Sequence, residues 1–224
     1  MKDMTYTYKL EIEKKHPILV NQDGKRFLVD TGSPITMAKP FSLCGRMMIG
    51  GTTALMGTIR NLSGLNVDGL IGLDILKKYH VVIDYANGQI LFSKQPFAIK
   101  GERLPMNRML GTIGFDATIN GQPCKVILDT GAQISYVNAS LVEGDEIVGH
   151  DTDFYPGLGT FDVELHRVAL QIGDAGGMTV TVGVLPGLLA CVTALVGQSI
   201  IGYDLLSKAQ VELDFENVFI TIAG

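Results

Sequence analysis

The sequence predicts an all-β chain, mainly antiparallel, built as two similar lobes that each carry one short helix and are related by a pseudo-twofold axis. Apolar and polar residues alternate along several segments, which is typical of strands with one buried face. Two separate blocks of sequence also recur further along the chain. The 224 residues suffice for two lobes of about 100 residues each. We expect an N-terminal lobe at residues 1–98 and a C-terminal lobe at residues 99–224.

The first repeated block is an Asp-Thr-Gly triplet preceded by three apolar residues. It occurs at residues 27–36 and 126–135, so that Asp30 and Asp129 are 99 positions apart (129 − 30). The second block is Ile-Gly, then one variable residue, then an aspartate. Its glycine is Gly72 in the first half and Gly202 in the second, 130 positions further on (202 − 72). The C-terminal half therefore carries 31 more residues between its two blocks (130 − 99).

The elements follow in matched order along the two halves. Alternation over residues 6–12 predicts a first strand with one buried face. The remaining predictions are a hairpin at residues 19–29 and its counterpart ending at 128, short helices at 73–79 and 203–209, turns at 84–88 and 214–217, and a linker at 94–105. Asp74 and Asp204 then lie in the first turns of the helices, where a carboxylate meets unpaired amides.

The duplicated triplet indicates a pair of carboxyl groups that act together. An apolar strand carries each aspartate toward the interior, and the glycine allows a tight turn with room for a close neighbour. Two such turns meeting at a twofold axis place the carboxyls of Asp30 and Asp129 within hydrogen-bonding range. Two like charges that close cannot both ionise, so one proton is shared. Turns capped separately by each aspartate are the alternative, but they explain neither the duplication nor the apolar approach.

At this point the chain resembles a known family. Residues 28–33 and 127–132 resemble the active-site motifs of the retropepsin and pepsin superfamily of aspartic peptidases, and residues 70–72 and 200–202 resemble its second signature. The nearest likeness is to bacterial single-chain retropepsin-like proteins. The resemblance implies a two-lobed, double-barrel fold and an aspartic endopeptidase in which Asp30 and Asp129 activate a water molecule. It also implies supporting roles for Thr31, Gly32, Ser33, Thr130 and Gly131, and it requires no metal or other cofactor.

The family also closes β-hairpins, called flaps, over its substrate, and two segments resemble them. In the first half the segment is 47–52, and in the second it is 155–160. Glycines suit a mobile tip that approaches a substrate backbone. The resemblance therefore implies that substrate contacts come from Ile49, Gly50, Gly51, Tyr155, Gly157 and Gly159. Ordinary β-turns are the alternative interpretation of both segments.

The two triplets differ at the residue after the glycine. Ser33 can donate a hydrogen bond to the outer oxygen of Asp30, whereas Ala132 cannot do this for Asp129. We therefore expect the two carboxyls to be electrically unequal, with Asp30 more often ionised.

The composition of the chain limits the classes of partner and cofactor that it is expected to bind. The net charge of −5 and the scattered Lys and Arg residues exclude a basic face for nucleic acid. Three distant cysteines and four histidines lack the spacing of a disulfide framework or a metal site, which predicts buried free thiols and no metal. We expect a peptide or protein substrate and, because one chain supplies both lobes, a monomer. The N-terminus lacks a secretion signal, so the chain is expected in the cytoplasm as written, or in the periplasm or outside the cell if a signal was removed.

One uncharged segment leaves further alternatives open. Residues 184–198 contain no charged side chain and pass a loose membrane-span criterion, although Gly and Pro interrupt them. This segment could instead line the cleft or form an association surface. The intact motifs also leave open a catalytically silent peptide-binding module or an assembly protein of the same fold.

Overall fold

The structure is a computed structural model that describes residues 4–174, 176–194 and 199–224. It is 49% strand and 11% helix, which confirms the all-β prediction. In residues 1–98 the elements are β1 (Tyr6–Glu13), β2 (His16–Val20), β3 (Arg26–Val29), β4 (Phe41–Leu43), β5 (Arg46–Met48), α1 (Met56–Ser63), β6 (Gly69–Ile71), α2 (Leu73–Leu76), β7 (His80–Asp84) and β8 (Gln89–Ser93).

The remaining elements belong to residues 99–224. They are β9 (Glu102–Pro105), β10 (Asn107–Met109), β11 (Thr112–Ile119), β12 (Gln122–Leu128), β13 (Tyr136–Val137), a 3-10 turn (Ala139–Leu141), β14 (Ile147–Tyr155), β15 (Gly159–Ile172), β16 (Met178–Val184), α3 (Gly187–Ala194), β17 (Ser199–Ile201), α4 (Tyr203–Leu206), β18 (Gln210–Asp214) and β19 (Phe219–Ala223). Helices α2 and α4 lie where the sequence predicted them but end earlier, after four residues each.

Two large sheets form the body of the molecule. A nine-stranded sheet has the order β6-β3-β2-β1-β8-β7-β18-β19-β9, and an eight-stranded sheet has the order β10-β11-β12-β17-β13-β16-β15-β14. The nine-stranded sheet contains strands from both halves of the chain, because β7 pairs with β18 in antiparallel register. The two halves are thus joined through one continuous sheet, and their division at residue 98 stays a prediction.

Polar side chains reinforce the junction between β7 and β18. The amide of Gln210 donates to Asp84 at 2.8 Å, and a ring nitrogen of His80 lies 3.2 Å from a carboxylate oxygen of Asp214. The predicted linker is held against β18 as well, since the Glu212 carboxylate accepts from the backbone amides of residues 97–99 at 2.8–3.3 Å. These contacts fix the two halves relative to each other.

Each Asp-Thr-Gly turn begins where an apolar strand leaves a sheet. Strand β3 pairs in parallel with β6, and β12 pairs in parallel with β17. The pairing continues one residue beyond each strand, because the amide of Asp30 donates to the carbonyl of Ile71 at 3.0 Å and that of Asp129 to the carbonyl of Ile201 at 3.0 Å. Both aspartates are therefore anchored at equivalent strand ends, with the two sequence blocks side by side as the sequence predicted.

Apolar clusters pack beneath the helices α1 and α3. Ile18, Leu28 and Ile59 belong to the cluster under α1, and Ile134, Tyr136 and Val163 belong to the cluster that Leu189 of α3 packs against. The main core lies between the sheets and includes the largest buried aromatic side chains, Phe27, Phe41, Phe92 and Phe115.

Two expectations about apolar residues need correction. Cys44 and Cys124 are buried free thiols as predicted, but Cys191 on α3 is exposed. The uncharged segment 184–198 is not one continuous element, since it covers the end of β16 and then α3, and its residues 195–198 lie outside the described part of the chain. Among the described residues, no helix has the length and apolar character needed to span a membrane.

Candidate active site

The carboxyl groups of Asp30 and Asp129 meet face to face at the junction of the two halves. A Cβ atom added to Gly32 would lie 2.4 Å from Oδ2 of Asp129, and one added to Gly131 would lie 2.6 Å from Cγ of Asp30. Each glycine therefore packs directly against the carboxyl group of the other turn, where a larger residue would not fit. Both aspartates remain partly exposed, so water can reach them.

Backbone amides hold one oxygen of each carboxyl. The amides of Gly32 and Ser33 donate to Oδ1 of Asp30 at 2.9 and 3.0 Å, and the amide of Gly131 donates to Oδ1 of Asp129 at 2.9 Å. These bonds fix the rotation of both carboxyls. The two groups are positioned by their own turns, as the sequence predicted.

Burial raises the pKa of both carboxyls. For Asp30 burial is the larger cause and the charge of Asp129 the next, and together they place the Asp30 pKa well above its ordinary value. For Asp129 burial is again the main cause of the raised pKa. Since the charge of Asp129 raises the pKa of Asp30, the protonation of one carboxyl depends on that of the other.

The threonines of the two triplets form a reciprocal network beneath the carboxyls. The hydroxyl of Thr31 donates to the carbonyl of Leu128 at 2.6 Å and accepts from the amide of Thr130 at 3.0 Å. The hydroxyl of Thr130 makes the mirrored pair of bonds, to the carbonyl of Val29 at 2.7 Å and from the amide of Thr31 at 3.0 Å. Both side chains are fully buried. Each half thus holds the other's turn in place.

The expected hydrogen bond from the Ser33 hydroxyl to Asp30 is not formed. That hydroxyl donates to the carbonyl of Ile35 at 2.8 Å, so its proton is not available to the carboxylate. Ser33 instead contributes its backbone amide. The predicted inequality, with Asp30 more often ionised, loses its physical basis, and the charge of Asp129 favours the protonated form of Asp30.

A second pair of hydroxyl residues, which the sequence analysis noted only as matched positions, connects each turn to its short helix. Thr36 accepts from the amide of Gly72 at 3.0 Å and donates to Asp74 at 2.6 Å. Ser135 makes the same two contacts in the other half, accepting from the Gly202 amide at 2.9 Å and donating to Asp204.

Asp74 and Asp204 lie in the first helical turns as predicted. Asp204 accepts from the helix amide of Leu205 at 2.9 Å, which confirms the expected contact with an amide. Both carboxylates in addition accept from the loop hydroxyls, which the sequence analysis did not predict. The signal was present in the sequence, because a hydroxyl residue follows each triplet at the same distance.

A long β-hairpin, β14–β15, extends from the eight-stranded sheet of the C-terminal half. Its tip lies at Tyr155 and Gly159, which face each other in the ladder, and the Tyr155 side chain is 50% exposed. Two residues before this tip, the buried Asp153 pairs with Phe161 in the ladder and accepts a short hydrogen bond from the hydroxyl of Tyr136. The charge of Asp153 contributes to the raised pKa of Asp129, although burial of Asp129 is the main cause. The sequence analysis did not single out Asp153 or Tyr136.

The N-terminal half does not form the hairpin predicted at residues 47–52. The hairpin there is β4–β5, whose turn at Cys44 and Gly45 folds back onto Tyr8, and residues 49–53 continue as a chain without regular structure. The amide of Gly51 donates to the carbonyl of Thr36 at 2.8 Å. Segment 49–51 therefore runs beside the first active-site loop, and a contact of Ile49, Gly50 or Gly51 with substrate stays a prediction.

The described residues bring no three potential metal ligands together among their His, Cys, Asp and Glu side chains. The candidate active site consists of the carboxyl pair, the backbone amides that bind it and the threonine network.

Comparisons with known proteins agree with this geometry. The family model for aspartyl proteases matches residues 115–205, which include the second triplet and the second Ile-Gly block. A solved structure, the basic 7S globulin from soybean, is similar with a TM-score of 0.56 at 9% identity, covering 99% of this chain and 95% of that one. No curated protein matches the sequence. The predicted pepsin-like, all-β fold is confirmed, and the resemblance to aspartyl proteases is confirmed over the matched residues.

Proposed function

We propose that the protein is an aspartic endopeptidase in which Asp30 and Asp129 share one proton and activate a water molecule against a peptide bond. The supporting observation is the mutual packing of the two turns, in which each glycine lies against the opposite carboxyl. A pair of capping aspartates that never met would not need this contact. The raised pKa of both groups agrees with a pair that stays singly protonated.

The chemistry follows from the charge of the pair. The ionised carboxylate removes a proton from water as the water oxygen attacks the peptide carbonyl, and the protonated carboxyl donates its proton to the carbonyl oxygen. In the second step one carboxyl donates its proton to the leaving amine nitrogen, the other carboxylate takes a proton from a hydroxyl of the tetrahedral diol, and the carbon–nitrogen bond breaks. The pair ends with one proton, as it began. The amides of Gly32, Ser33 and Gly131 keep both carboxyls oriented throughout.

The β14–β15 hairpin serves as the flap in this proposal. Its tip is rich in glycine and exposes Tyr155, and the Tyr136–Asp153 hydrogen bond anchors the hairpin two residues before that tip. Among the described residues of the N-terminal half the β4–β5 hairpin is much shorter, with three residues in each strand, so closure over the substrate would come mainly from the C-terminal half. The extra 31 residues of that half, read as an unequal internal duplication, account for this difference. Since one chain supplies both carboxyls, the proposed active form is a monomer.

A cleavage assay with a mixed peptide library tests the proposal. We expect wild-type protein to cleave peptides internally, pepstatin to inhibit it, and Asp30→Asn and Asp129→Asn each to abolish cleavage. Asp116→Asn is the matched control, because Asp116 is an exposed aspartate on β11 whose carboxylate accepts a hydrogen bond from the side chain of Asn107. Tight binding of a statine peptide without any cleavage would instead favour a catalytically silent peptide-binding module.

A further inference from the structure

A groove with a volume of about 700 Å³ lies beside the first active-site loop, at the junction of the two halves. The tip of the β10–β11 hairpin packs against the loop that follows Asp30, since a Cβ added to Gly111 would lie 3.1 Å from Cβ of Pro34. Pro34 lines the groove and follows Asp30 by four residues, so their Cα atoms are at most about 14 Å apart. Four residues of an extended peptide span the same distance, so a segment four or more residues from the carboxyl pair is long enough to reach the groove.

The sequence repeat shows that the lining of this groove differs from the equivalent positions in the other half. Leu73 and Phe215 line the groove, and their counterparts 130 positions away are Tyr203 and Tyr85. Those two tyrosines pack against each other with ring centroids 6.0 Å apart, and Tyr85 is buried. Larger side chains therefore occupy the equivalent positions, and the surroundings of the carboxyl pair are unequal on its two sides.

The groove combines an apolar floor with a cationic rim. Leu110, at the hairpin tip, is 80% exposed, and Ile113 adds to the apolar lining. The rim carries Lys77, Lys78 and Arg108, against the single acidic residue Glu216. The Glu216 carboxylate lies 3.3 Å from a ring nitrogen of His80, so it already has a partner.

The two lysines are the cations most available to a ligand. Both are exposed at the end of α2, and neither forms an ion pair with any described residue. The chain as a whole has a net charge of −5, so this local excess of positive charge runs against the average surface. In the other half the counterpart positions hold Ser207 and Lys208, one cation fewer.

We propose that this groove binds an acidic segment of the substrate that also carries an apolar residue, and thereby fixes the direction in which the peptide crosses the carboxyl pair. The proposal rests on the proposed peptidase function and adds a substrate class to it. An acidic residue would meet Lys77 and Lys78 at the rim, and an apolar neighbour would cover Leu73, Leu110 and Phe215. Because the counterpart positions hold a tyrosine pair and one lysine fewer, we expect one end of the substrate to gain more from such a contact than the other.

Binding of non-hydrolysable peptides tests the groove without requiring turnover. The probes share an apolar core with one reduced peptide bond and carry a fluorescein label. One pair is extended at the amino end by Asp-Leu-Asp or by Asn-Leu-Asn, and a second pair is extended at the carboxyl end in the same way. Fluorescence anisotropy gives Kd at low salt and again at about 0.2 M salt, where exposed charges are screened.

We expect the acidic extension to strengthen binding about fivefold at one end only, and the preference to weaken in salt. The double variant Lys77→Glu/Lys78→Glu should lose or reverse that preference. Lys125→Glu/Lys208→Glu is the matched control, since it makes the same change of net charge at exposed lysines outside the groove and should keep the preference.

Two results would overturn the inference, and they have different consequences for the proposed peptidase function. If wild-type protein bound the acidic and neutral peptides equally at both ends, the groove would not select charge, while the proposed peptidase function would stand. If it bound none of the peptides and cleaved no library peptide, the proposed function would fail and the inference with it. A preference that the control variant also lost would assign the effect to net charge and contradict a role for the groove.

Discussion

Removing the hydroxyl of Thr31 is expected to destabilise the junction of the two halves by about 2–4 kcal/mol. In Thr31→Val the shape of the side chain is nearly kept, but the carbonyl of Leu128 loses its donor and the amide of Thr130 loses its acceptor. Thr31 is fully buried, so water cannot replace the hydroxyl. Each buried main-chain group left without a partner costs about 1–3 kcal/mol. Two such groups, the Leu128 carbonyl and the Thr130 amide, each at the lower part of that range, give the expected loss of about 2–4 kcal/mol.

Urea denaturation followed by circular dichroism measures this loss as a change in the free energy of unfolding. Thr31→Ser is the matched control, because it keeps the hydroxyl and should cost less than about 1 kcal/mol. If Thr31→Val unfolded within about 0.5 kcal/mol of wild type, the reciprocal network would contribute little, and the reasoning from buried hydrogen bonds would be refuted.

Three further outcomes follow from the site. Gly131→Ala would push a methyl group into the carboxyl of Asp30, so cleavage should fall by about 100-fold or more, and wild-type rates would contradict the packing. Asp153→Asn removes a negative charge that raises the pKa of Asp129, the first carboxyl of the pair to ionise, so the acid limb of the pH–rate profile should move to lower pH; an unchanged or upward-shifted limb would exclude that influence. Ser33→Ala should leave the pH–rate profile unchanged, since its hydroxyl does not donate to the pair, and a shifted profile would restore the original expectation.

Repetition in the sequence predicted the centre of the site because it constrains residues that must meet. The two triplets, the strands before them and the two Ile-Gly blocks all lie where the repeat placed them. A turn that packs against the equivalent turn of the other half allows few residue types. Gly32 and Gly131 therefore indicated the close approach of the two turns strongly.

Features outside the repeat could not be predicted in the same way. The direction of the Ser33 hydroxyl depends on one nearby carbonyl, that of Ile35, and residue type alone does not decide between two acceptors. Segment 47–52 has the glycines of a flap, but the hairpin turn lies earlier, at Cys44 and Gly45, where the Cys44 amide donates to the Tyr8 hydroxyl and Gly45 lies beside Tyr6. Asp153 carries no motif, and only the fold brings its charge close enough to raise the pKa of Asp129.

The pH dependence of kcat/KM for one cleaved peptide tests the central claim most directly, since it reports the protonation of the free enzyme's acid and base. A carboxyl pair that shares one proton predicts a bell-shaped profile that vanishes in both Asp30→Asn and Asp129→Asn. A profile with a single limb, or cleavage that persisted in either variant, would contradict the account.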